Sequence, residues 1–297
     1  MTLKKRVIFM GSPDSAVASL EAIIKQSDRY DVVCVVSQPD KPAGRGRKLT
    51  PPAVKVKALE HGLDVFQPTK VRTKETLQKL SSYQPDVIVV VAYGRILPNS
   101  IIELPKYNCI NVHASLLPKL RGASPIAHAI LGGDKVCGVS IMQIGEGLDD
   151  GPVFGSRGVE VDSGITLSEL TEKLAKLGSE LLVDLLPSII DGSVKAVEQE
   201  HSNATKAPLL NKQDGKVDFS LSAVQLERMV RAFTPWPGAW FIKDNNKITV
   251  TKARAVVSDS SDGEIGQVMS ADKNGVTIKC KEGLLHLISV HPAGRKE

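Results

Sequence analysis

Three polar side chains near the middle of the chain have the types and the spacing that acyl-transfer chemistry needs. Asn111 and His113 lie two residues apart in the segment 108–118, NCINVHASLLP, and Asp149 lies in a later segment, 144–152, IGEGLDDGP. An amide can donate to an oxygen that gains negative charge, and a carboxylate can orient and charge an imidazole that moves a proton. Together these groups are suited to the transfer of an acyl group to an amine.

The elements around these residues predict how they are brought together. The apolar residues of 108–113 indicate a buried strand, and residues two apart on a strand point to the same face. The side chains of Asn111 and His113 should therefore project together at the carboxyl end of this strand, where open α/β sheets bind their ligands. Asp149 lies in a glycine-flanked loop that follows the apolar run 136–144.

The first half of the chain alternates strands with helices. Strands are predicted at Arg6–Met10, Asp31–Ser37, Asp64–Gln67, Asp86–Tyr93, 108–113 and 136–144, and helices at Ala16–Gln26, Ala53–His61, Lys74–Tyr83 and Ile126–Leu131. The β-branched run at Asp86–Tyr93 is typical of a central parallel strand that is buried on both faces. This order of elements predicts an α/β fold, a doubly wound parallel sheet covered by helices.

The second half has a different pattern. Leucine periodicity predicts a helix at Thr166–Ile190, with Thr166 as its cap before Glu169. A polar stretch with the composition of a linker follows, and a further helix is predicted at Ala223–Ala232. Short alternating runs separated by turn residues then indicate a small β-barrel. These runs are Ala239–Ile242, Lys247–Ala255, Gly266–Met269, Val276–Lys279 and Leu284–Val290.

Composition and charge narrow the class of protein. The chain has 297 residues, which is enough for two domains, and a formal net charge of +5. Its longest apolar run, Val87–Tyr93, is far shorter than a membrane span, and the apolar part of 1–10 is too short for a signal peptide. The four cysteines have neither CxxC spacing nor clustered histidines, which favours buried free thiols in a reducing compartment. We therefore expect a cytoplasmic protein with no membrane partner and no bound metal.

Positive charge is concentrated in one loop after the second predicted strand. The sequence has no acidic residue between Asp40 and Glu60. The cations of this loop are Lys41, Arg45, Arg47, Lys48, Lys55 and Lys57. A run of charges is ordinarily only a solvated face, but the position of this loop beside the expected site favours contact with a nucleic acid.

Five segments, in order and over nearly the whole chain, resemble the methionyl-tRNA formyltransferases. They are SQPDKPAGRGRKL at 37–49, VVVAYGRILP at 89–98, CINVHASLLPKLRGASP at 109–125, GLDDGP at 147–152 and RAFTPWPGAW at 231–240. The Asn, His, SLLP and GLD motifs are shared by the wider group of enzymes that use 10-formyltetrahydrofolate, so they indicate the reaction. The basic loop and the Trp-Pro segment indicate the acceptor.

The resemblance implies a Rossmann-like formyltransferase domain at 1–190, a linker at 191–213 and an OB-like tRNA-binding domain at 214–297. It implies a monomer that formylates the α-amino group of initiator methionyl-tRNA with 10-formyltetrahydrofolate. It implies that the catalytic residues are Asn111, His113 and Asp149. It implies that the folate is bound by Ser115, Leu116, Leu117 and Pro118, and that the tRNA is bound by Arg45, Arg47 and Lys48. Asn111 and His113 would donate to the formyl oxygen, and His113 or Asp149 would take the proton of the attacking amine.

Two other functions keep some support from the sequence. A formyltransferase for a small amine, such as a nucleotide sugar, would use the same residues of 108–152 but would leave the basic loop and the barrel unexplained. A non-catalytic RNA-binding module would predict a broken Asn, His and Asp set, whereas all three are present.

The linker departs from the family pattern, since Leu209 stands where a lysine is usual and Lys206 where a tyrosine is usual.

Overall fold

A computed structural model describes residues 3–43, 46, 48–257 and 263–292. The chain divides into two compact units. The first comprises Met1–Gly122, Cys137–Val159 and Thr171–Lys206, and the second comprises Ala123–Val136, Glu160–Leu170 and Ala207–Glu297. All three candidate catalytic residues belong to the first unit.

The first unit is built on strands that alternate with helices. Its strands are β1 (Lys5–Gly11), β2 (Tyr30–Val36), β3 (Lys41–Ala43), β4 (Lys48–Thr50), β5 (Val65–Phe66), β6 (Val87–Val91), β7 (Asn108–His113), β8 (Val136–Gln143) and β9 (Val153–Glu160). Its helices include α1 (Asp14–Ile24), α2 (Ala53–Glu60), α3 (Lys74–Ser82) and α4 (Asn99–Ile102). Within the described residues a seven-stranded sheet has the order β5-β2-β1-β6-β7-β8-β9, and β3 and β4 form a separate hairpin. This confirms the predicted α/β class.

The sheet is not parallel throughout. The pairs β2–β5, β1–β2, β1–β6 and β6–β7 are parallel. Strand β8 runs antiparallel to β7, with His113 opposite Ser140 and Ile110 opposite Gln143. The prediction of a wholly parallel sheet is therefore wrong at this edge. The chain leaves β7 at its carboxyl end and re-enters the sheet from that same end, and a run of apolar residues does not encode the direction of a strand.

Strand β6 is buried on both faces of the sheet. Val87, Val89 and Val91 pack in one cluster with residues of α1, α2 and a later helix, α6 (Leu167–Asp191). Ile88 and Val90 pack in a second cluster with residues of α3 and α4. Helices therefore cover both faces, which confirms the predicted burial of this strand.

The long helix α6 begins with the predicted cap. The backbone N–H of Thr166 donates to the Glu169 carboxylate at 2.8 Å, and the Glu169 N–H reaches the Thr166 hydroxyl at 3.4 Å. The hydrogen bond from the Thr166 N–H, and to a smaller extent the one from the Thr166 hydroxyl, holds the pKa of the Glu169 carboxyl below its usual value. This reciprocal pair satisfies donors at the start of the helix, so the helix begins at Leu167, one residue after the predicted start.

The second unit contains an antiparallel sheet. Its helices are α5 (Pro125–Gly132) and α7 (Ala223–Phe233), and its strands are β10 (Ala239–Lys243), β11 (Asn246–Val256), β12 (Val268–Asp272), β13 (Gly275–Lys279) and β14 (Leu284–Pro292). The sheet order is β10-β11-β14-β13-β12, and each neighbouring pair is antiparallel. Five strands were expected here and five are described, whereas closure into an OB-like barrel stays a prediction.

All four cysteines, Cys34, Cys109, Cys137 and Cys280, are buried and none forms a disulfide, which confirms the prediction of buried thiols. Within the part of the chain that the structure describes, none of the helices combines the length and the apolarity that a bilayer crossing requires.

Candidate active site

The imidazole of His113 lies between two oxygen acceptors at the carboxyl end of β7. Its side chain is 6% exposed, and its Nε2 is 3.1 Å from the carbonyl oxygen of Leu120. On the other side of the ring, Nδ1 is 3.7 Å from Oδ2 of Asp149. A carbonyl and a carboxylate oxygen can only accept, so an imidazolium can donate to both whereas a neutral ring can donate to one. This setting is suited to a group that takes up and returns a proton.

Asp149 joins the other two candidate residues. Its Oδ1 is 3.5 Å from Nδ2 of Asn111, and its Oδ2 accepts the backbone N–H of Gly122 at 2.9 Å. Asp149 has a φ of +50°, in the left-handed region that aspartate tolerates better than most residues. The separations to Asn111 and His113 are longer than those of strong hydrogen bonds. The structure thus brings Asn111, His113 and Asp149 together.

The loop that carries Asp149 is folded tightly by its glycines. A Cβ added to Gly151 would collide with the carbonyl oxygen of Gln143, and one added to Gly147 would collide with the Asp150 carboxylate. The backbone contact therefore requires a glycine at 151, whereas the Asp150 carboxylate beside Gly147 is the end of a flexible side chain that can move aside.

The predicted folate segment is held to β8 by Ser140. The Ser140 hydroxyl donates to the carbonyl oxygen of Ser115 at 2.8 Å and accepts the backbone N–H of Leu117 at 3.1 Å. The Ser115 hydroxyl donates to the carbonyl oxygen of Lys119 at 2.6 Å, and its side chain is buried. These polar groups are therefore engaged within the protein.

The apolar side chains of the same segment remain partly accessible. Leu116, Leu117 and Pro118 are all of intermediate burial. Leu116 lies against Gly138 of β8, where a Cβ would collide with the leucine side chain. Residues 116–118 thus present an apolar surface against which a flat heteroaromatic ligand could pack.

Four residues that support the site were missed from the sequence: Arg121, Ser140, Gln199 and Thr205. Gln199 and Thr205 lie in the stretch predicted to be a linker, whose polar composition gave no signal for tertiary contacts. Ser140 could have been found, because it is the one hydroxyl residue within the run VCGVSIMQ.

The basic loop is less cationic than its sequence indicates. Lys55 forms an ion pair with Asp40 at 2.9 Å, and Lys57 is paired with both Glu21 and Glu60. The hydrogen bond from the Lys55 ammonium, and to a smaller extent the one from the Gln67 amide, holds the pKa of the Asp40 carboxyl below its usual value. These pairs fix two of the six cations to acidic partners within the protein.

The predicted tRNA contacts of this loop are described only in part. Strand β3 pairs antiparallel with β4, where the predicted contact Lys48 is exposed. The other two predicted contacts, Arg45 and Arg47, lie outside the described residues. Elsewhere, no group of three or more His, Cys, Asp or Glu side chains within the described ranges has the arrangement of a metal site.

Comparisons of the sequence with known proteins agree over nearly the whole chain. The family model described as formyl transferase matches residues 4–186, and the model of the formyl transferase C-terminal domain matches residues 209–297. A methionyl-tRNA formyltransferase of Myxococcus xanthus (strain DK1622) is 45% identical over 293 residues, which are 99% of this chain and 92% of that protein.

Solved structures share the fold at lower identity. WlaRD, a sugar 3N-formyltransferase solved with dTDP and 5-N-formyl-THF, has a TM-score of 0.69 at 20% identity and covers 100% of both chains. An N-formyltransferase from Helicobacter canadensis, in complex with folinic acid and dTDP-3-aminofucose, has a TM-score of 0.69 at 18% identity, over 97% of this chain and 100% of that chain. HypX from Aquifex aeolicus, in complex with tetrahydrofolic acid, has a TM-score of 0.64 at 16% identity, over 97% of this chain and 44% of that chain. These likenesses concern the fold, while the family models and the close relative show that the chain belongs to the formyl transferase family.

Proposed function

We propose that this protein transfers the formyl group of 10-formyltetrahydrofolate to the α-amino group of initiator methionyl-tRNA. The product is N-formylmethionyl-tRNA, which serves translation initiation. The observation that carries the proposal is the convergence of Asn111, His113 and Asp149 in a chain 45% identical, over 99% of its length, to a methionyl-tRNA formyltransferase.

The folate supplies the one-carbon group, and the protein would hold it beside the three side chains. Leu116, Leu117 and Pro118 form a partly buried apolar surface that suits a flat heteroaromatic ring. Neighbours of the same fold were solved with tetrahydrofolic acid and with folinic acid, which supports a folate as the formyl donor. Ser115 would act by keeping this segment in place.

Asn111 would stabilise the charge that develops during attack by donating to it. His113, whose two ring nitrogens face Leu120 and Asp149, would add its positive charge nearby when protonated. An amide nitrogen has two N–H donors, and the one that faces Asp149 leaves the other for the formyl oxygen. A well-placed donor of this kind contributes roughly 3–4 kcal/mol in comparable sites. The donor is therefore most useful at the moment when the oxygen is negative.

The attacking amine must be neutral and must then lose a proton. Free α-amino groups titrate at about 7.7–8.0, so modest help from a base is sufficient. The proton would pass to His113 or Asp149, directly or through water, and return to the departing nitrogen. Asp149 would also keep the imidazole oriented through Nδ1.

The acceptor would be bound mainly through its phosphates. Arg45, Arg47 and Lys48 would contact the acceptor end of the tRNA, and the domain at 214–297 would contact its backbone. We further propose a monomer that works in the cytoplasm, with the domain boundaries given by the family resemblance.

The direct test is incubation with charged initiator tRNA and 10-formyltetrahydrofolate, followed by release of the amino acid and mass analysis. We expect N-formylmethionine. An amino sugar nucleotide such as dTDP-3-aminofucose serves as the competing acceptor, and formylation of that sugar without formylation of methionyl-tRNA would contradict the proposal.

A further inference from the structure

Gln199 uses every hydrogen-bonding group of its side chain next to the candidate active site. It is 7% exposed, and its Nε2 donates to the carbonyl oxygens of Asp149 at 2.9 Å and Gly151 at 2.7 Å. Its Oε1 accepts from Nε and Nη2 of Arg121 at 3.0 and 2.8 Å. A side-chain amide has two donors and two lone pairs, so its capacity is fully used.

These bonds join the two loops that hold the imidazole and the carboxylate. The Nε2 of Gln199 holds the backbone of the Asp149 loop. Its Oε1 holds Arg121, which lies between Leu120 and Gly122. The carbonyl of Leu120 faces the imidazole, and the N–H of Gly122 donates to the carboxylate. Gln199 thus connects one loop to the other.

The same segment contacts the second loop again at Thr205. The Thr205 hydroxyl accepts the backbone N–H of Leu120 at 2.9 Å, and its carbonyl accepts the N–H of Arg121 at 2.9 Å. Leu120 has a φ of +57°, in the left-handed region that disfavours residues with a side chain. That conformation therefore depends on its neighbours, among them this segment.

We propose that Gln199 is a positioning residue for formyl transfer, which sets the Asp149 carboxylate and the Leu120 carbonyl on either side of the His113 imidazole. The inference rests on the proposed function, because it takes these groups to be the ones that act on the formyl donor and the amine. Both ends of the amide are needed, one for each loop. A misplacement of about 1 Å in such a site can lower the rate about 100-fold.

Two variants separate the two ends of the amide. Gln199→Leu removes all four bonds at similar volume, whereas Gln199→Glu keeps an acceptor for Arg121 but turns an oxygen toward the two carbonyl oxygens. We expect both variants to lower kcat about 30- to 100-fold and to change KM for the tRNA and the folate less than about threefold, because Gln199 stabilises the arrangement for reaction rather than either substrate.

Gln26→Leu is the matched control. This glutamine of the same unit is half-buried, and its Oε1 has no hydrogen-bond partner among the described residues. We expect kcat and KM of the unmodified protein in this variant. The comparison separates loss of the bonds of Gln199 from loss of a glutamine in general.

A double-mutant cycle tests whether Gln199 acts through the carboxylate. In an Asp149→Asn background, Gln199→Leu should lower kcat by less than about threefold, because two residues that act as a unit give non-additive effects. Full additivity, or the kcat of the unmodified protein in Gln199→Leu, would overturn the inference. Failure of both Gln199 variants to show a cooperative thermal transition would also overturn it, in favour of a purely structural role. An unmodified protein that does not formylate methionyl-tRNA would instead contradict the proposed function.

Discussion

At the residue scale, the site depends on one carboxylate that serves two neighbours. Asp149 faces the Asn111 amide with Oδ1 and the His113 ring with Oδ2, and the Gly122 N–H also reaches Oδ2. These contacts restrict the orientations of the amide and of the ring. An asparagine at position 149 would remove the negative charge and would keep nearly the same side-chain shape.

Asp149→Asn is accordingly expected to lower the single-turnover rate of formyl transfer by 10²- to 10⁴-fold, the range typical of a lost acid–base group. The carbonyl of the asparagine can still accept the Gly122 N–H, so the melting temperature should change little. Asp150→Asn is the control at the neighbouring carboxylate, for which we expect a rate within about threefold of the unmodified protein. Equal rates for the two variants would show that the Asp149 charge has no role in the reaction.

The sequence predicts these side chains because their types and spacing are local. Asn111 and His113 share one strand, and Asp149 lies in a glycine-flanked loop. Gln199 could not be found in the same way, because its four bonds reach residues 48 to 78 positions away and its own surroundings are polar and irregular. Tertiary contacts of that kind leave no periodicity in the sequence.

At the element scale, the loop between β8 and β9 is shaped by backbone groups that leave no space for side chains. Gly151 is the clearest case, since a Cβ there would collide with the carbonyl oxygen of Gln143 and press on the N–H of Gly145. The acidic residue at position 149 is therefore held by the fold of its own loop as well as by its partners.

Gly151→Ala should destabilise the protein by about 1–3 kcal/mol, the usual cost of overpacking a close contact, and should also lower kcat. Urea unfolding followed by circular dichroism measures the first effect. Gly164→Ala is the matched control because nothing lies within 4 Å of its added Cβ. A free energy of unfolding that is unchanged in both variants would contradict this account of the loop.

The elements themselves differ in how well the sequence predicts them. Helix α6 was predicted to within one residue at each end because its leucines repeat and Thr166 and Glu169 cap it. Strand β9 escapes prediction because two glycines interrupt its short alternation. The hairpin of β3 and β4 escapes it because its strands have only three residues each and the sequence between and within them, with Pro42, Gly44 and Gly46, is typical of a loop.

At the scale of the whole molecule, buried thiols make stability depend on alkaline pH. Burial raises the pKa of Cys34 to about 11 and that of Cys109 to about 12. Below the pKa of an exposed thiol, about 8.5, both the folded and the unfolded chain keep these protons. Above it the unfolded chain releases them first, so the free energy of unfolding falls until the folded thiols also ionise.

The free energy of unfolding, measured by urea denaturation, should therefore fall between pH 8.5 and 10, by about 1 kcal/mol per pH unit for each thiol at the upper end of that range. Cys109→Ala should be less stable at neutral pH yet show a shallower decline, because one of these thiols is gone. An identical decline in the variant would assign the effect to other groups.

Salt provides the second test at this scale. A polyphosphate acceptor releases counterions on binding, so raising the salt from about 50 to about 200 mM should raise KM for methionyl-tRNA about tenfold or more. The KM for the folate should change far less, since the folate is a small molecule. A salt-independent KM for the tRNA would contradict binding through the basic loop and the C-terminal domain.

The division of the chain into two units is only partly visible in the sequence. The change from alternating helices and strands to short β runs indicates two parts. Residues 123–136 and 160–170 cluster with the C-terminal unit instead of with their neighbours in the chain. No change in composition marks these two segments, because membership of a unit is decided by packing rather than by local preference.

The enclosure of all four native cysteines also has a practical use. A maleimide dye finds no accessible cysteine thiol in the folded protein, so Lys48→Cys on the exposed β4 strand would offer a single attachment point without prior removal of the native cysteines. Fluorescence from that position would then follow the arrival and departure of nucleic acid in real time.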